Sequence, residues 1–336
     1  MPSYTKYAAA ALAVALPFCS AQTYTSCNPL NNTCSADTGL ATYTFSTDFT
    51  TGNSSLANWT ITDGTIEFGS DGAEFIIAER YDAPTIETDF YFFFGEVEVK
   101  MKSANGTGIV SSIVFLSDDL DEIDWEALGA YDDEIETNYF GKDNTTSYDR
   151  ATYPSVTTPA EEFHTYTIIW TEEKLEWLID GTLVRTLEYD SAVDGRNYPQ
   201  TPMRVKLGIW AGGDPSESEG TIEWAGGEVD YDDVPFTMYV ESVKIINYNP
   251  AETYTYTGHT GSYESIVLSN STTNSTVSSS SSSNSSSSSS TSSSSTTSTS
   301  SNSSSTSSVA VSAASMSSVY LTPALVLALV AGLMQL

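Results

Sequence analysis

Acidic side chains occupy alternate positions in the run Asp121-Glu122-Ile123-Asp124-Trp125-Glu126. On a strand, Glu122, Asp124 and Glu126 project from one face, and Ile123 and Trp125, read as core, from the other. Like charges aligned this way repel, so the arrangement is costly unless some carboxyls are protonated or used. Paired carboxyls are what glycoside hydrolysis requires, one as acid/base and one as nucleophile or water-activating base. On a straight strand the Glu122 and Glu126 backbones stand about 13 Å apart. Retaining catalysis wants carboxyls about 5–5.5 Å apart, a gap that two glutamates leaning over the shorter Asp124 can close. Spacing alone leaves an inverting separation open. It also leaves open a solvated acidic face, and a calcium site at Asp118, Asp119 and Asp121, although no loop with ligand spacing accompanies them.

The segments that must hold this run read as strands. Residues 90–102 (FYFFFGEVEVKMK) alternate in their second half, and residues 108–117 (GIVSSIVFLS) are rich in β-branched side chains. Residues 165–170, 174–178, 183–188, 203–210 and 238–247 continue the pattern. Turn signals at Asp180-Gly181, Asp194-Gly195 and Ala211-Gly212-Gly213 punctuate it, and no stretch shows a sustained helical period. The expectation is an all-β fold, an antiparallel sandwich or barrel. Residues 203–210 place Arg204, Lys206 and Trp210 on one face. In a chain so poor in cations they suit sugar hydroxyls or amides, the alternative being salt bridges within an acidic protein. Trp210 and Trp224 present flat faces on which sugar rings can stack, or else they are core. His164 reads as structural.

Of 336 residues, 44 are acidic and 12 are Lys or Arg, a formal charge of −32. That balance argues against nucleic acid, whose binding rests on neutralising phosphates, and against docking to anionic lipid through a basic patch. Neutral polymers remain compatible partners. Residues 1–21 read as a signal peptide, with Lys6, an apolar run and a small-residue cleavage site at Cys19-Ser20-Ala21. A body of residues 22–250 follows, then a linker and Ser/Thr-rich, O-glycosylated, unfolded stalk over 251–308. Residues 309–336 end in an uncharged apolar run with no basic residue after it. They read as a removable glycosylphosphatidylinositol (GPI) signal with attachment in the window 304–308; the alternative is a single membrane span. With Cys19 lost in processing, Cys27 and Cys34 remain to pair in an oxidising compartment. Sequons at Asn31, Asn53, Asn58, Asn105, Asn144, Asn270, Asn274, Asn284 and Asn302 agree with secretion.

The hexapeptide at 121–126 resembles the catalytic strand of glycoside hydrolase family 16, and the surrounding text resembles its Crh-type fungal cell-wall branch, the chitin–glucan transglycosylases. The similarity runs through Cys27-Asn28-Pro29-Leu30 with Cys34, residues 137–142 (TNYFGK) and 146–150 (TSYDR). It continues through residues 163–166 (FHTY) with Trp170, 208–214 (GIWAGGD) and 220–227 (GTIEWAGG). The resemblance implies a β-jelly-roll sandwich whose concave sheet forms an open cleft. It implies Glu122 as nucleophile and Glu126 as general acid/base, with Asp124 bonding the nucleophile and setting its protonation. It further suggests Thr221 as a substrate contact, with Tyr139 and Arg150 as weaker candidates. Chitin and β-glucan would be the partners, with no metal or cofactor, a monomeric enzyme and a place at the cell surface or wall. Two alternatives stay open: a β-glucan endohydrolase of the same fold, and a non-catalytic carbohydrate-binding adhesin on a stalk.

Overall fold

The computed structural model describes residues 24–146 and 150–269. The signal peptide, the Ser-rich tract, the attachment window and the sequons at Asn270, Asn274, Asn284 and Asn302 lie outside the described residues. Strands β1 (Asp37–Thr38), β2 (Thr44–Asp48), β3 (Trp59–Asp63), β4 (Ile66–Gly69), β5 (Gly72–Ile77) and β6 (Thr85–Thr88) open the chain. Then come β7 (Gly95–Lys102), β8 (Ile109–Ser117), β9 (Glu122–Leu128), β10 (Glu136–Phe140), β11 (His164–Trp170), β12 (Lys174–Ile179) and β13 (Thr182–Glu188). The series ends with β14 (Met203–Ala211), helix α1 (Glu219–Trp224), β15 (Phe236–Asn247), β16 (Thr253–Tyr256) and β17 (Ile266–Leu268).

Two antiparallel sheets face each other as a jelly-roll sandwich. One has the order β10-β9-β8-β14-β6-β3; the other runs β13-β12-β11-β7-β15-β5-β4, with β2 also on β15. Period-2 alternation decides which side chains enter the core. Val97, Val99 and Met101 of β7 and Tyr166, Ile168 and Trp170 of β11 are buried, and Ile113, Phe115, Ile123 and Trp125 meet them from the other sheet. Trp125 packs on Tyr166 with ring centroids 5.4 Å apart. Its removal is expected to cost about 3–5 kcal/mol, as for other buried aromatics. Because Ile123 and Trp125 fill this layer, Glu122, Asp124 and Glu126 must point the other way, out of the sandwich.

The strands expected from the pattern are present, with three differences. The segment 90–102 becomes a strand only from Gly95, because Phe94 and Gly95 both take positive φ (51° and 156°) and break the pleat. A helix of six residues, α1, forms where no helical period was legible; it is too short to show one, and the Ser218 hydroxyl caps it by accepting from the Thr221 N–H. The boundary drawn at 250 falls short. Residues 251–269 are not linker: β16 pairs with β1 and with β17 in a third small sheet. Tyr254 and Ala251 are fully buried, so this segment has the core contacts that a stalk lacks.

Candidate active site

Hairpin β8–β9 presents the acidic run. Its turn, residues 118–121, places Leu120 at φ 63° and hands the chain to β9 at a buried Asp121. Asp121 accepts from the Lys142 Nζ at 2.9 Å, from the Lys142 N–H at 3.0 Å and from the Gln200 N–H at 2.8 Å. The start of β9 is thereby tied to two loops. Asp119 accepts from the Ser117 and Thr201 hydroxyls, and Asp118 from the Tyr91 hydroxyl at 2.6 Å. Asp119 and Asp121 share the Thr201 hydroxyl and the Lys142 charge, whereas Asp118 serves Tyr91. Among the described residues no group of three or more His, Cys, Asp or Glu side chains is arranged to hold a metal ion.

A cleft of about 640 Å³ opens over β9 and β10, lined by Glu122, Glu126, Trp210, Thr221 and Trp224 among others. Asp124 is sealed beneath, 1% exposed, while the two glutamates keep contact with solvent. Burial pushes the Glu122 carboxyl up to about 7; a hydrogen bond with Asp124 and the Lys206 charge pull against that, and Asp143 adds to it. Asp124 is raised well above the usual range by burial, then by the charges of Glu122 and Glu126. Glu126 is raised well above it too, by burial first and then by Glu136 and Glu122. Water in the open cleft tempers the effect on the glutamates, whereas nothing tempers it on Asp124. Of the three, Asp124 is thus pushed most strongly toward its protonated form, and its hydrogen bond with Glu122 favours the ionised form of Glu122. Glu126 accepts from the Ser112 hydroxyl at 3.3 Å. The Trp210 indole N–H, buried without a partner of full hydrogen-bond geometry, leans on the same carboxyl.

The two tryptophans come together through glycines. Trp210 lies near the end of β14 and Trp224 ends α1, yet their rings stack at 5.8 Å with 26° between planes. A Cβ on Gly213 would sit 2.1 Å from the Gly227 carbonyl oxygen, and Gly108 needs φ 79°. These close approaches let Gly213 N–H donate to Gly108 O and Gly108 N–H donate to Ala225 O, pinning α1 against the sheet. Asp214 completes the clamp through a bidentate pair with Arg80 and the Tyr231 hydroxyl. That pairing with Arg80 holds the Asp214 carboxyl far below the usual range.

Other candidates fall elsewhere. Arg204 and Lys206 line an adjoining depression of about 430 Å³ on the far side of Trp210. Arg204 is hydrogen-bonded to Glu87 and sits 4.5 Å over the Tyr91 ring, and Lys206 is 4.0 Å from Glu87. Internal salt bridging therefore describes Arg204, whereas Lys206 also faces Glu122 electrostatically. Tyr139 and Arg150 do not line the cleft. On β10, Glu136, Asn138 and Phe140 share the face of their partners Glu126, Asp124 and Glu122, so Tyr139 turns inward with Ile123. Arg150 lies against Phe140 at 4.9 Å and donates to the Tyr139 and Asn144 carbonyls, bracing the loop that follows. His164 is structural, bonded to Asp180 and to the Thr157 carbonyl. Cys27 and Cys34 are disulfide-bonded. Asn31, Asn53, Asn58 and Asn105 are exposed, whereas Asn144 is half-buried with its amide donated to Asn197.

Sequence reasoning missed Glu136, Asn138 and Tyr153, all of which line the cleft. The available signal was the alternation Glu136-x-Asn138-x-Phe140, a period-2 pattern one short turn after the acidic run.

A jelly-roll sandwich with three aligned carboxyls and an aromatic pair over them defines the class: an enzyme acting on glycosidic bonds. A model described as glycosyl hydrolases family 16 matches residues 53–226, and the chain belongs to that family, within its Crh-like group. Crh-like protein 1 of Aspergillus fumigatus is 68% identical over 255 residues, covering 76% of this chain and 69% of that protein. Congo red hypersensitive protein 1 of Saccharomyces cerevisiae is 49% identical over 246 residues, covering 72% and 47%. The solved structure of a Crh5 transglycosylase in complex with NAG is 58% identical with a TM-score of 0.71, covering 72% of this chain and 99% of that one. A Bacillus licheniformis β-glucanase, 22% identical with a TM-score of 0.51, covers 61% and 99% and shares the fold.

Proposed function

We propose that this enzyme is a retaining transglycosylase that cuts chitin and passes the severed chain to a β-glucan or chitin acceptor, with hydrolysis as a minor outcome. Glu122 attacks the anomeric carbon while Glu126 protonates the departing oxygen, giving a covalent glycosyl-enzyme. Glu126 then takes the proton from an acceptor hydroxyl as that oxygen displaces Glu122. Asp124 holds its proton throughout and bonds Glu122. The observation that carries this reading is the three-carboxyl face of β9, with the central Asp124 sealed and the outer pair open to the cleft. The Crh5 transglycosylase with NAG, so similar over the whole body, supports an N-acetylated donor. Trp210 and Trp224 would stack on sugar rings, with Thr221 at the rim.

The same proposal sets the enzyme at the cell surface. Residues 1–21 would direct secretion, the Ser/Thr-rich tract would hold the body away from the membrane, and a GPI lipid added within 304–308 would anchor it. Among the described residues no helix is long and apolar enough to cross a membrane.

The test is to incubate the enzyme with chito-oligosaccharides and labelled glucan oligosaccharides and look for hybrid products by mass spectrometry. Hybrids are expected from the native chain and from neither Glu122→Gln nor Glu126→Gln, both folded. Near-native turnover by either variant on an unactivated chito-oligosaccharide would overturn the assignment of roles.

A further inference from the structure

A fourth carboxyl, Glu136, stands directly across the β9–β10 pair from Glu126. Side chains so paired have Cβ atoms about 4.5–5.5 Å apart. Glu136 is 2% exposed, yet both of its oxygens are met by N–H donors: the Trp224 indole on Oε2 at 2.6 Å and the Asn138 amide on Oε1 at 3.0 Å. Burial raises the proton affinity of this carboxyl, and the hydrogen bonds of Trp224, Tyr153 and Asn138, together with the Arg185 charge, pull against that, favouring the ionised form. A glutamine would fill the same space but turn its NH2 on one of the two N–H donors, so the site is shaped for an acid set beside Glu126.

We propose that Glu136 is a positioning residue for the reaction, its charge bearing on Glu126 from the neighbouring strand and its oxygen anchoring the Trp224 platform. The inference rests on Glu126 being the general acid/base. Around Glu126, its own strand offers Glu122 and Asp124, β8 offers Ser112, and β14 offers Trp210, with Lys206 set toward Glu122. The loop before β11 brings Tyr153, whose hydroxyl engages Glu136, and Asp143, which bears on Glu122. Arg185 of β13 is the cation on the Glu136 side, held by the Thr137 and Arg150 carbonyls. Among these groups Glu136 is the anion from another strand that acts most strongly on Glu126, and it raises the proton affinity there. It does so while fixing, through one hydrogen bond, the ring that stacks on Trp210.

Charge and anchor are separable by two substitutions. Glu136→Gln keeps an oxygen for the Trp224 indole and removes the charge. Glu136→Asp keeps the charge and withdraws the oxygen from Trp224. Profiles of kcat/KM against pH would be measured on chito-oligosaccharides, with thermal unfolding to confirm the fold. For Glu136→Gln the alkaline limb should move to lower pH by on the order of one unit, with KM nearly unchanged. For Glu136→Asp the limb should stay and KM should rise several-fold. A Glu136→Gln limb superimposed on the native one, or both variants moving it alike, overturns the charge role; an unchanged KM for Glu136→Asp overturns the anchor. If Glu126→Gln is inactive while the Glu136→Gln limb stays put, the inference fails alone. If Glu126→Gln remains active, the underlying reading fails.

Discussion

At Glu122, Asp124 and Glu126 the proposed mechanism sets one ionised carboxyl beside two protonated ones on a strand face, and a pH dependence follows. Transfer requires Glu122 ionised and Glu126 protonated, so the rate should fall on the acid side as pH drops below about 7 and Glu122 gains its proton. It should fall again on the alkaline side as Glu126 loses its own; both limbs belong to the coupled set. A profile lacking either limb would contradict this. The same displacement is a stability statement. Glu122 titrates higher in the fold than in the unfolded chain, so the stability linked to it is full below pH 4.5 and lost as pH rises through about 7. Glu122→Gln, which cannot ionise, should therefore match the native Tm at pH 4.5 and exceed it by a few degrees at pH 8. Equal Tm values at both pH values would show that burial does not burden this carboxyl. The hexapeptide made these three residues legible in the sequence. For Glu136 only the alternation was legible; its place lies in register, since pairing with β9 is what brings it opposite Glu126.

Among the elements, the strands with clean alternation were readable, and so was the Asp180-Gly181 hairpin, where both residues take positive φ (50° and 75°). The first strands were not, since β3 exposes all but Trp59 and β1 has only two residues. Residues 251–269 were misread because polar Thr and Tyr conceal a strand pair completed by partners far away in the chain. This segment also secures the N-terminus. β16 pairs with Asp37-Thr38, the Pro29 carbonyl is bonded to His259 at 2.6 Å, and Gly261 approaches Leu30 too closely for a side chain. The disulfide loop held there leads to residues 24–26, which wall the depression beside Trp210. A chain ending at 250 is therefore expected to unfold at lower temperature and to bind oligosaccharide more weakly than one ending at 269. Equal Tm and KM for the two would remove the clasp from the account.

Over the whole molecule, a formal charge of −32 surrounds a cleft whose proposed substrates are uncharged. Salt screens interactions between charges over about 10 Å at 0.1 M, and a neutral sugar offers it nothing to screen. KM for chito-oligosaccharides is thus expected to stay within about twofold as ionic strength rises from low to high, since steering acts only on charged ligands. A steep salt dependence would contradict binding through neutral contacts alone. The central claim is a covalent bond between the donor sugar and Glu122, and it can be seen directly. The enzyme would be quenched in acid during turnover of a chito-oligosaccharide donor, digested and mapped by mass spectrometry. The account predicts a glycosyl mass on the peptide containing Glu122, discharged when an acceptor oligosaccharide is added before the quench. An adduct on a different residue, or a product with inverted anomeric configuration and no adduct, would contradict it.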